Sequence, residues 1–163
     1  MSNANTDLKL SNIWNVTCLD RNGNVKWHEE KKNLITTEGL NHILNTEFHE
    51  GTAVTTWYIG LKGTGTPDAG DELGSHSSWS EISGYTGNRQ PWQEDAASSG
   101  SMTNSTVTAF PITATATVAG AFLGSAATGT SGTLYGVVDF SSPRAVVNGD
   151  TLNVTVTINA TSS

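Results

Sequence analysis

The feature that most constrains the fold is a strict two-residue alternation near the end of the chain. In residues 151–159 (TLNVTVTIN), threonine or asparagine alternates with four apolar residues, Leu152, Val154, Val156 and Ile158. Successive side chains of a strand point to opposite faces, so the four apolar side chains share one face. The segment is therefore predicted to be a β-strand whose apolar face meets a core or a subunit interface.

Other segments also have the composition or the period of strands. Residues 12–19 and 25–27 flank an Asn-Gly turn and predict a hairpin. Further strands are predicted within residues 53–61, 104–123 and 134–140. With turn residues between seven or eight predicted strands, the pattern indicates a mainly all-β fold. The predicted architecture is an antiparallel β-sandwich or barrel, jelly-roll-like, with one short helix.

That helix is predicted at residues 37–48. Thr36 or Thr37 can cap its N-terminus. Its apolar residues recur with helical spacing and form one stripe, made of Leu40, Ile43, Leu44 and Phe48. Gly39 lowers the helix propensity of the segment. The helix is expected to be short and to pack its stripe on a sheet.

Length and charge limit the domain organisation and the partners. The 163 residues suit a single domain, predicted as a flexible N-terminal arm at 1–11 and a β-rich domain at 12–163. A net charge of −7 argues against binding to nucleic acid, which requires a basic surface. No apolar run approaches 18 residues, so no membrane association is expected.

The charged residues are distributed unevenly. Residues 1–95 hold 20 of the 23 charged residues, and residues 96–163 hold only Asp139, Arg144 and Asp150. The apolar faces of such a segment need to be covered. Two interpretations follow, namely that the second half packs against partner subunits, or that it forms a neutral, threonine-rich sheet surface.

No chemical motif in the sequence supports catalysis. The chain has 17 Ser and four His but no G-x-S-x-G segment, and the histidines lack metal-ligand spacing. Asp68, Asp71 and Glu72 lie in a glycine-rich loop at 63–80, but they do not match a calcium-binding loop and are expected to be solvated. We therefore expect no enzymatic activity, no metal and no other cofactor.

The candidate interface consists of aromatic and basic residues in loop-like sequence. Aromatic side chains and arginine are common anchors of protein interfaces, and the residues of this kind are Trp79, Tyr85, Arg89 and Trp92. Exposed aromatic rings also stack on sugar rings. The alternative is that these tryptophans fold back and seal one end of the sandwich.

One stretch of the sequence is similar to a known family. Residues 33–44 (NLITTEGLNHIL), 57–62 (WYIGLK), 79–81 (WSE), Tyr85 and residues 89–92 (RQPW) occur in an order that resembles small virion structural proteins of tailed bacteriophages. Members of that group are treated as head decoration, or cement, proteins. The likeness extends over roughly residues 12–160, although only residues 33–92 carry its specific motifs.

The resemblance implies a virion structural protein on the capsid surface, made in the host bacterial cytoplasm. It would stabilise the icosahedral capsid by bridging subunits of the major capsid protein, as a homo-oligomer for which a trimer is favoured and a dimer is an alternative. A second hypothesis is a tail or head-fibre adhesion module that binds host surface glycans through Trp79, Tyr85 and Trp92. A third, a hydrolase acting on the cell wall, is disfavoured because the sequence lacks a paired acid and base.

Overall fold

Alternating apolar and polar side chains build two antiparallel sheets in this computed structural model, which describes residues 7–162. The strands are β1 (Leu8–Leu19), β2 (Val25–Lys32), β3 (Leu34–Ile35), β4 (Trp57–Lys62), β5 (Glu81–Ile82), β6 (Gln90–Trp92), β7 (Ser101–Thr103), β8 (Thr108–Pro111), β9 (Ala116–Gly124), β10 (Leu134–Val146) and β11 (Thr151–Ser162). The helix α1 (Thr37–Phe48) lies between β3 and β4.

The two sheets confirm the predicted all-β sandwich. The first sheet has the order β2-β1-β11, and β7 and β8 pair with successive parts of β11. The second sheet has the order β3-β10-β9-β4, and β5 and β6 both pair with β4. The strands that the sequence did not predict are two or three residues long, because so short a segment cannot display a period.

Strand β11 lies in the middle of the first sheet, and its apolar face is buried as its alternation predicts. It pairs with β1 over twelve residues, from Leu19 opposite Thr151 to Leu8 opposite Ser162. Three of its four predicted core residues are fully buried, and Ile158 is half-buried. The prediction that this face of β11 meets a core is confirmed.

The boundary of the predicted N-terminal arm needs correction. Strand β1 begins at Leu8, so residues 8–11 pair with the end of β11 instead of belonging to a flexible arm. Residues 1–6, the rest of the predicted arm, lie outside the described residues. The sequence does not predict this pairing because it is non-local: Leu8 and its partner Ser162 are more than 150 positions apart.

The hydrophobic residues form two clusters, one on each face of the second sheet. The larger cluster fills the space between the sheets and includes Trp14, Phe110 and Leu123. The smaller one lies on the outer face, where loop residues Leu73 and Trp79 cover Phe122, Leu134 and Val137. The loop at 63–80 therefore completes a core.

The position of the last three strands explains the low charge of residues 96–163. Strands β9 and β10 lie in the interior of the second sheet, and β11 lies in the interior of the first. Seven consecutive residues of β9, 118–124, are buried. The apolar faces of this segment are thus covered within the chain itself.

The helix α1 begins where the sequence predicts. The hydroxyl of Thr36 accepts a hydrogen bond from the Gly39 amide at 3.0 Å, which confirms an N-cap at Thr36. The carboxylate of Glu38 accepts hydrogen bonds from the backbone amides of Leu73 (3.0 Å) and Leu134 (2.6 Å). Glu38 thereby ties the first turn of the helix to the loop and to β10.

Candidate functional site

A cleft of about 400 Å³ opens between the two sheets at one end of the sandwich, beside α1. The volume falls in the range typical of small-ligand sites. Polar groups enter it at His42, Thr46, Glu47 and Glu94. The remaining lining is apolar or aromatic and consists of Leu10, Ile43, Ala53, Val54, Trp57, Trp92, Met102, Leu123, Tyr135 and Ile158.

Three rings organise the wall of the cleft next to the helix. The His42 ring meets the half-buried Trp57 ring edge-on, with centroids 5.4 Å apart. Trp57 in turn contacts Tyr135 at 5.7 Å. The Tyr135 hydroxyl donates to Asn12 Oδ1 at 3.4 Å. Burial raises the pKa of Tyr135 above its ordinary value, so the phenol is neutral at physiological pH.

The apolar stripe of α1 does not lie where the sequence predicts. Gly39 and Ile43 face the protein, and the other apolar residues of the helix are exposed: Leu40 by 41%, Leu44 by 56% and Phe48 by 82%. The prediction that the stripe packs on a sheet is therefore wrong for these three side chains. We call Leu40, Leu44 and Phe48 the α1 strip.

The physical reason is the close approach of the helix to the sheet at Gly39. A Cβ atom at this position would lie 2.4 Å from the Tyr135 carbonyl oxygen. The helix contacts the β10 backbone through Gly39, which has no side chain. This contact places the Gly39 side of the helix against the sheet, and the side with the largest apolar residues is therefore not buried. The small residue that lowers helix propensity thus determines which side of α1 faces solvent.

The four predicted interface residues are buried, which corrects the expectation that they are exposed. Trp79 lies in the outer cluster, where its indole N–H donates to Asp71 Oδ2 at 2.8 Å. Its ring stacks on His76 with centroids 3.8 Å apart. Asp71 also accepts a hydrogen bond from the Asp68 amide, so its carboxylate organises the loop. Asp71 is buried, and the prediction that it is solvated is therefore wrong.

Arg89 is buried among hydrogen-bond acceptors. Its guanidinium makes two parallel hydrogen bonds to the Glu81 carboxylate, at 2.9 and 2.7 Å. Two further N–H groups donate to the carbonyl oxygens of Ala126 and Gly129, each at 2.9 Å. The side chain also lies over the Phe122 ring. Arg89 joins the segment before β6 to the loop between β9 and β10.

Tyr85 and Trp92 belong to the core between the sheets. Tyr85 contacts Phe110 edge-on at 5.0 Å, and burial raises the pKa of the Tyr85 phenol. The Trp92 indole N–H donates to Asn104 Oδ1 at 2.8 Å. Of the four predicted residues, only Trp92 lines the cleft. The structure therefore separates them among three environments and does not gather them into one surface.

The residues that do meet at the open end of the sandwich are not predicted from the sequence. The sequence predicts Trp57 in a strand and His42 in the helix, but no pattern links the two. The helix did contain a signal. Its apolar stripe is wider than the surface that a single close contact at Gly39 can bury against a sheet, so part of the stripe had to remain exposed. What joins these residues is the position of α1 beside the end of β4, which is a tertiary feature.

The buried charged side chains in the described part of the chain have internal partners. Glu29 pairs with Arg144, and Lys62 with Asp139 at 2.7 Å. Asp150 pairs with Lys26 at 2.5 Å. Buried charges require such partners, and these pairs also link separate elements. Within residues 7–162, no group of three His, Cys, Asp or Glu side chains is placed to hold a metal ion.

No helix in residues 7–162 is long and apolar enough to cross a membrane.

Comparison with protein families gives one match, and it covers most of the chain. The family model of the podophage GP4 fiber I protein gp80 matches residues 31–161, well over half of the 163 residues. The chain therefore belongs to this family, and it is a structural protein of a bacteriophage virion. Among curated proteins, a search found no match.

The family match confirms part of what the resemblance in residues 33–92 implied. A bacteriophage virion component with a β-sandwich fold is confirmed. The match names a fibre protein and does not single out head decoration.

Proposed function

We propose that this member of the podophage fiber I family is a non-enzymatic subunit of the fibre assembly, joined to its neighbours in the virion through α1. The family match over residues 31–161 carries the proposal. The exposed α1 strip supports it, because contiguous exposed apolar side chains are typical of interaction surfaces. The internally paired charges support a structural role, since they link elements of the sandwich.

The test is the location and abundance of the protein in purified particles. Quantitative mass spectrometry would give its copy number relative to the major capsid protein, and immunogold labelling would give its position. A fibre subunit is expected in far fewer copies than the shell subunit, with the label at the tail. Abundance similar to the shell subunit, with the label over the head, would support the predicted bridging of major capsid subunits instead. Absence from the particle would overturn both.

The cleft favours a second function, attachment to host surface glycans. The Trp57 ring is half-buried in the cleft wall, with the carboxylates of Glu47 and Glu94 in the same lining. An aromatic face with nearby hydrogen-bond acceptors suits a sugar, which has an apolar face and hydroxyl donors. The glycan-binding hypothesis thus moves from Trp79 and Tyr85 to Trp57.

Fluorescence titration with host surface polysaccharide tests the glycan hypothesis. Binding is expected to change the tryptophan emission of the wild-type protein and to be lost in Trp57→Leu. The matched control is Trp27→Leu, because Trp27 is also half-buried but packs on Phe140 outside the cleft lining. An unchanged signal with polysaccharide, together with a glycan array without hits, would exclude this function.

A further inference from the structure

We infer that the cleft beside α1 binds an oligosaccharide that carries free amino groups, and that a polar groove on the other side of His42 holds its second sugar unit. The inference rests on the second proposed function, attachment to host glycans, and names the class of glycan. The preference among sugars of different charge can be measured on the purified protein.

Two tryptophans stand side by side in the cleft. Trp57 of β4 and Trp92 of β6 are directly opposite each other in the antiparallel pairing, so their side chains lie on the same face of the sheet. The Trp92 indole N–H donates to Asn104 Oδ1. The Trp57 ring lies against the rings of His42 and Tyr135. Rings held in this way form a fixed platform for the apolar face of a sugar.

A polar groove of about 450 Å³ runs along the neighbouring side of α1. Thr37, Asn41 and Asn45 line it from the helix, where their spacing of i, i+4 and i+8 places them on one side. Glu72 and Thr133 line it from outside the helix. Hydroxyl, amide and carboxylate groups suit a ligand rich in hydroxyls better than an apolar peptide segment.

The cleft and the groove meet at His42, which lines both. Its ring is half-buried, and its nitrogens can donate or accept a hydrogen bond. Glu38 holds the groove in shape, because its carboxylate accepts hydrogen bonds from the amides of Leu73 and Leu134. The cleft and the groove thus form one tract, aromatic at one end and polar at the other, which suits a chain of sugars better than a single ring.

The side chains of this tract give it a negative charge. The carboxylates of Glu47 and Glu94 line the cleft, and that of Glu72 lines the groove. In the part of the chain that the structure describes, no lysine or arginine lines either cavity. Glu47 also lies in the last turn of α1, near the negative end of the helix dipole. An acidic polysaccharide would be repelled here, whereas an amine would be attracted.

The basic side chains of the protein lie elsewhere. Four of the eight form internal ion pairs. The other four lie in β1, in β2 or in the turn between them, and they are Lys9, Arg21, Lys31 and Lys32. Among residues 7–162, Glu47, Glu72 and Glu94 have no ion-pair partner. The tract therefore favours a ligand that brings its own positive charge.

Isothermal titration calorimetry with short glucosamine oligomers tests the class of sugar. The glucosamine dimer and its N-acetylated counterpart have the same rings, but only the first has free amines, which are mostly protonated at about pH 7. The free-amine dimer is expected to bind about tenfold more tightly than the acetylated dimer. Added salt should reduce this difference. A dimer of galacturonic acid, which is negatively charged, is expected not to bind.

Glu47→Gln and Glu94→Gln test the source of the preference. Both side chains are exposed, so neither change should affect folding. Each variant is expected to bind the free-amine dimer about three- to fivefold more weakly and the acetylated dimer equally well. Glu30→Gln is the matched control, since Glu30 is also exposed but lies in β2, outside the tract.

Asn45→Ala tests the groove. The variant is expected to reduce the gain in affinity from the glucosamine monomer to the dimer, because the second unit would lose a hydrogen-bonding partner. Asn22→Ala, at an exposed position in the turn between β1 and β2, should leave that gain unchanged.

Several outcomes would overturn the inference and leave glycan attachment through Trp57 in place. These are equal affinities for the two glucosamine dimers, tighter binding of the acidic dimer, or binding of host polysaccharide without binding of the free-amine dimer. Free-amine binding that persists in Trp57→Leu would overturn it as well, because it would reflect general attraction to an acidic protein. Tighter binding of a lysine-rich peptide would assign the cleft to a basic segment of another virion protein. Failure of every sugar, host polysaccharide included, would overturn the glycan function itself.

Discussion

At the scale of single residues, polar and charged side chains inside this protein act as ties between segments distant in sequence. Asn104 illustrates the arrangement. Its side-chain oxygen accepts hydrogen bonds from the Trp92 indole and the Val156 amide, and its nitrogen donates to the Thr108 hydroxyl at 3.2 Å. One amide side chain thus links β6, β8 and β11. Buried polar groups with complete partners of this kind specify one arrangement of strands.

Replacing Arg89 with methionine should destabilise the protein by about 3 kcal/mol, because it removes the partner of Glu81 and leaves two carbonyl oxygens without donors. Urea unfolding followed by tryptophan fluorescence would measure the loss. Arg21→Met is the control, since Arg21 is exposed and its one hydrogen bond is 3.4 Å long. Equal stability of the two variants would contradict the structural role of Arg89.

The Glu29 carboxylate predicts a loss of stability in acid. Burial disfavours its charged form, but hydrogen bonds from Arg144 and Ser141 outweigh burial and hold its pKa below the ordinary 4.5. Because the pKa of Glu29 is lower in the folded protein than in the unfolded chain, its ionised carboxylate stabilises the fold. This stabilisation is complete above pH 4.5 and is lost as the pH falls through the pKa of the folded protein. Thermal unfolding between pH 3 and pH 7 should show less pH dependence in Glu29→Gln than in wild type. The exposed neighbour Glu30→Gln provides the comparison, and an unchanged profile for both would refute the assignment.

At the scale of elements, α1 shows how one close contact sets the orientation of a helix. The twelve residues have the caps and the period of an amphipathic helix, yet the contact at Gly39 turns most of the apolar residues outward. The helix is held by the Thr36 cap and by Glu38, not by burial of its largest side chains. This arrangement leaves an apolar surface available to a partner while the helix stays attached to β10.

Gly39→Ala should therefore destabilise the protein, although alanine is the better helix former by about 1 kcal/mol. The new Cβ would overlap the Tyr135 carbonyl and force the helix away from β10. A lower unfolding temperature, with a change in the emission of the nearby Trp57, is the expected result. Asn41→Ala, at an exposed position of the same helix, should leave stability equal or higher. A rise in stability for Gly39→Ala would show that the close approach of Gly39 to Tyr135 does not set the position of the helix.

At the scale of the whole molecule, the second sheet lies between two layers. The first sheet covers one of its faces, and the loop at 63–80 covers part of the other. The central strands β9, β10 and β11 come from the least charged part of the chain, so the last third of the sequence forms the interior of both sheets. Asp139 in β10 is partly exposed and pairs with Lys62, whereas a carboxylate introduced between the two sheets would have neither water nor a partner.

Val154→Asp should for this reason prevent folding, because Val154 is fully buried between the sheets in the middle of β11. Circular dichroism and the fraction of soluble protein would report the loss. The neighbouring Thr155→Asp is the matched control, since Thr155 points to the opposite, half-buried face and its carboxylate would keep access to water. If both variants fold equally well, the assignment of the two faces is incorrect.

The sequence by itself determined the features that depend on local spacing. The all-β class, the hairpin of β1 and β2, the helix at 37–48 with a threonine cap at 36 or 37, and the buried face of β11 all follow from periods of two or 3.6 residues and from turn chemistry. A family resemblance carried by residues 33–92 was enough to indicate a phage structural protein.

Only the tertiary structure decided which surfaces are covered. Trp79 and Arg89 lie in loop-like sequence, yet both pack against Phe122, far along the chain, and Arg89 also donates to the carbonyl oxygens of the loop between β9 and β10. The α1 strip has the pattern of a buried face, yet the contact at Gly39 leaves it exposed. Local periodicity reports which side chains share a face, whereas burial of that face depends on contacts between residues far apart in sequence.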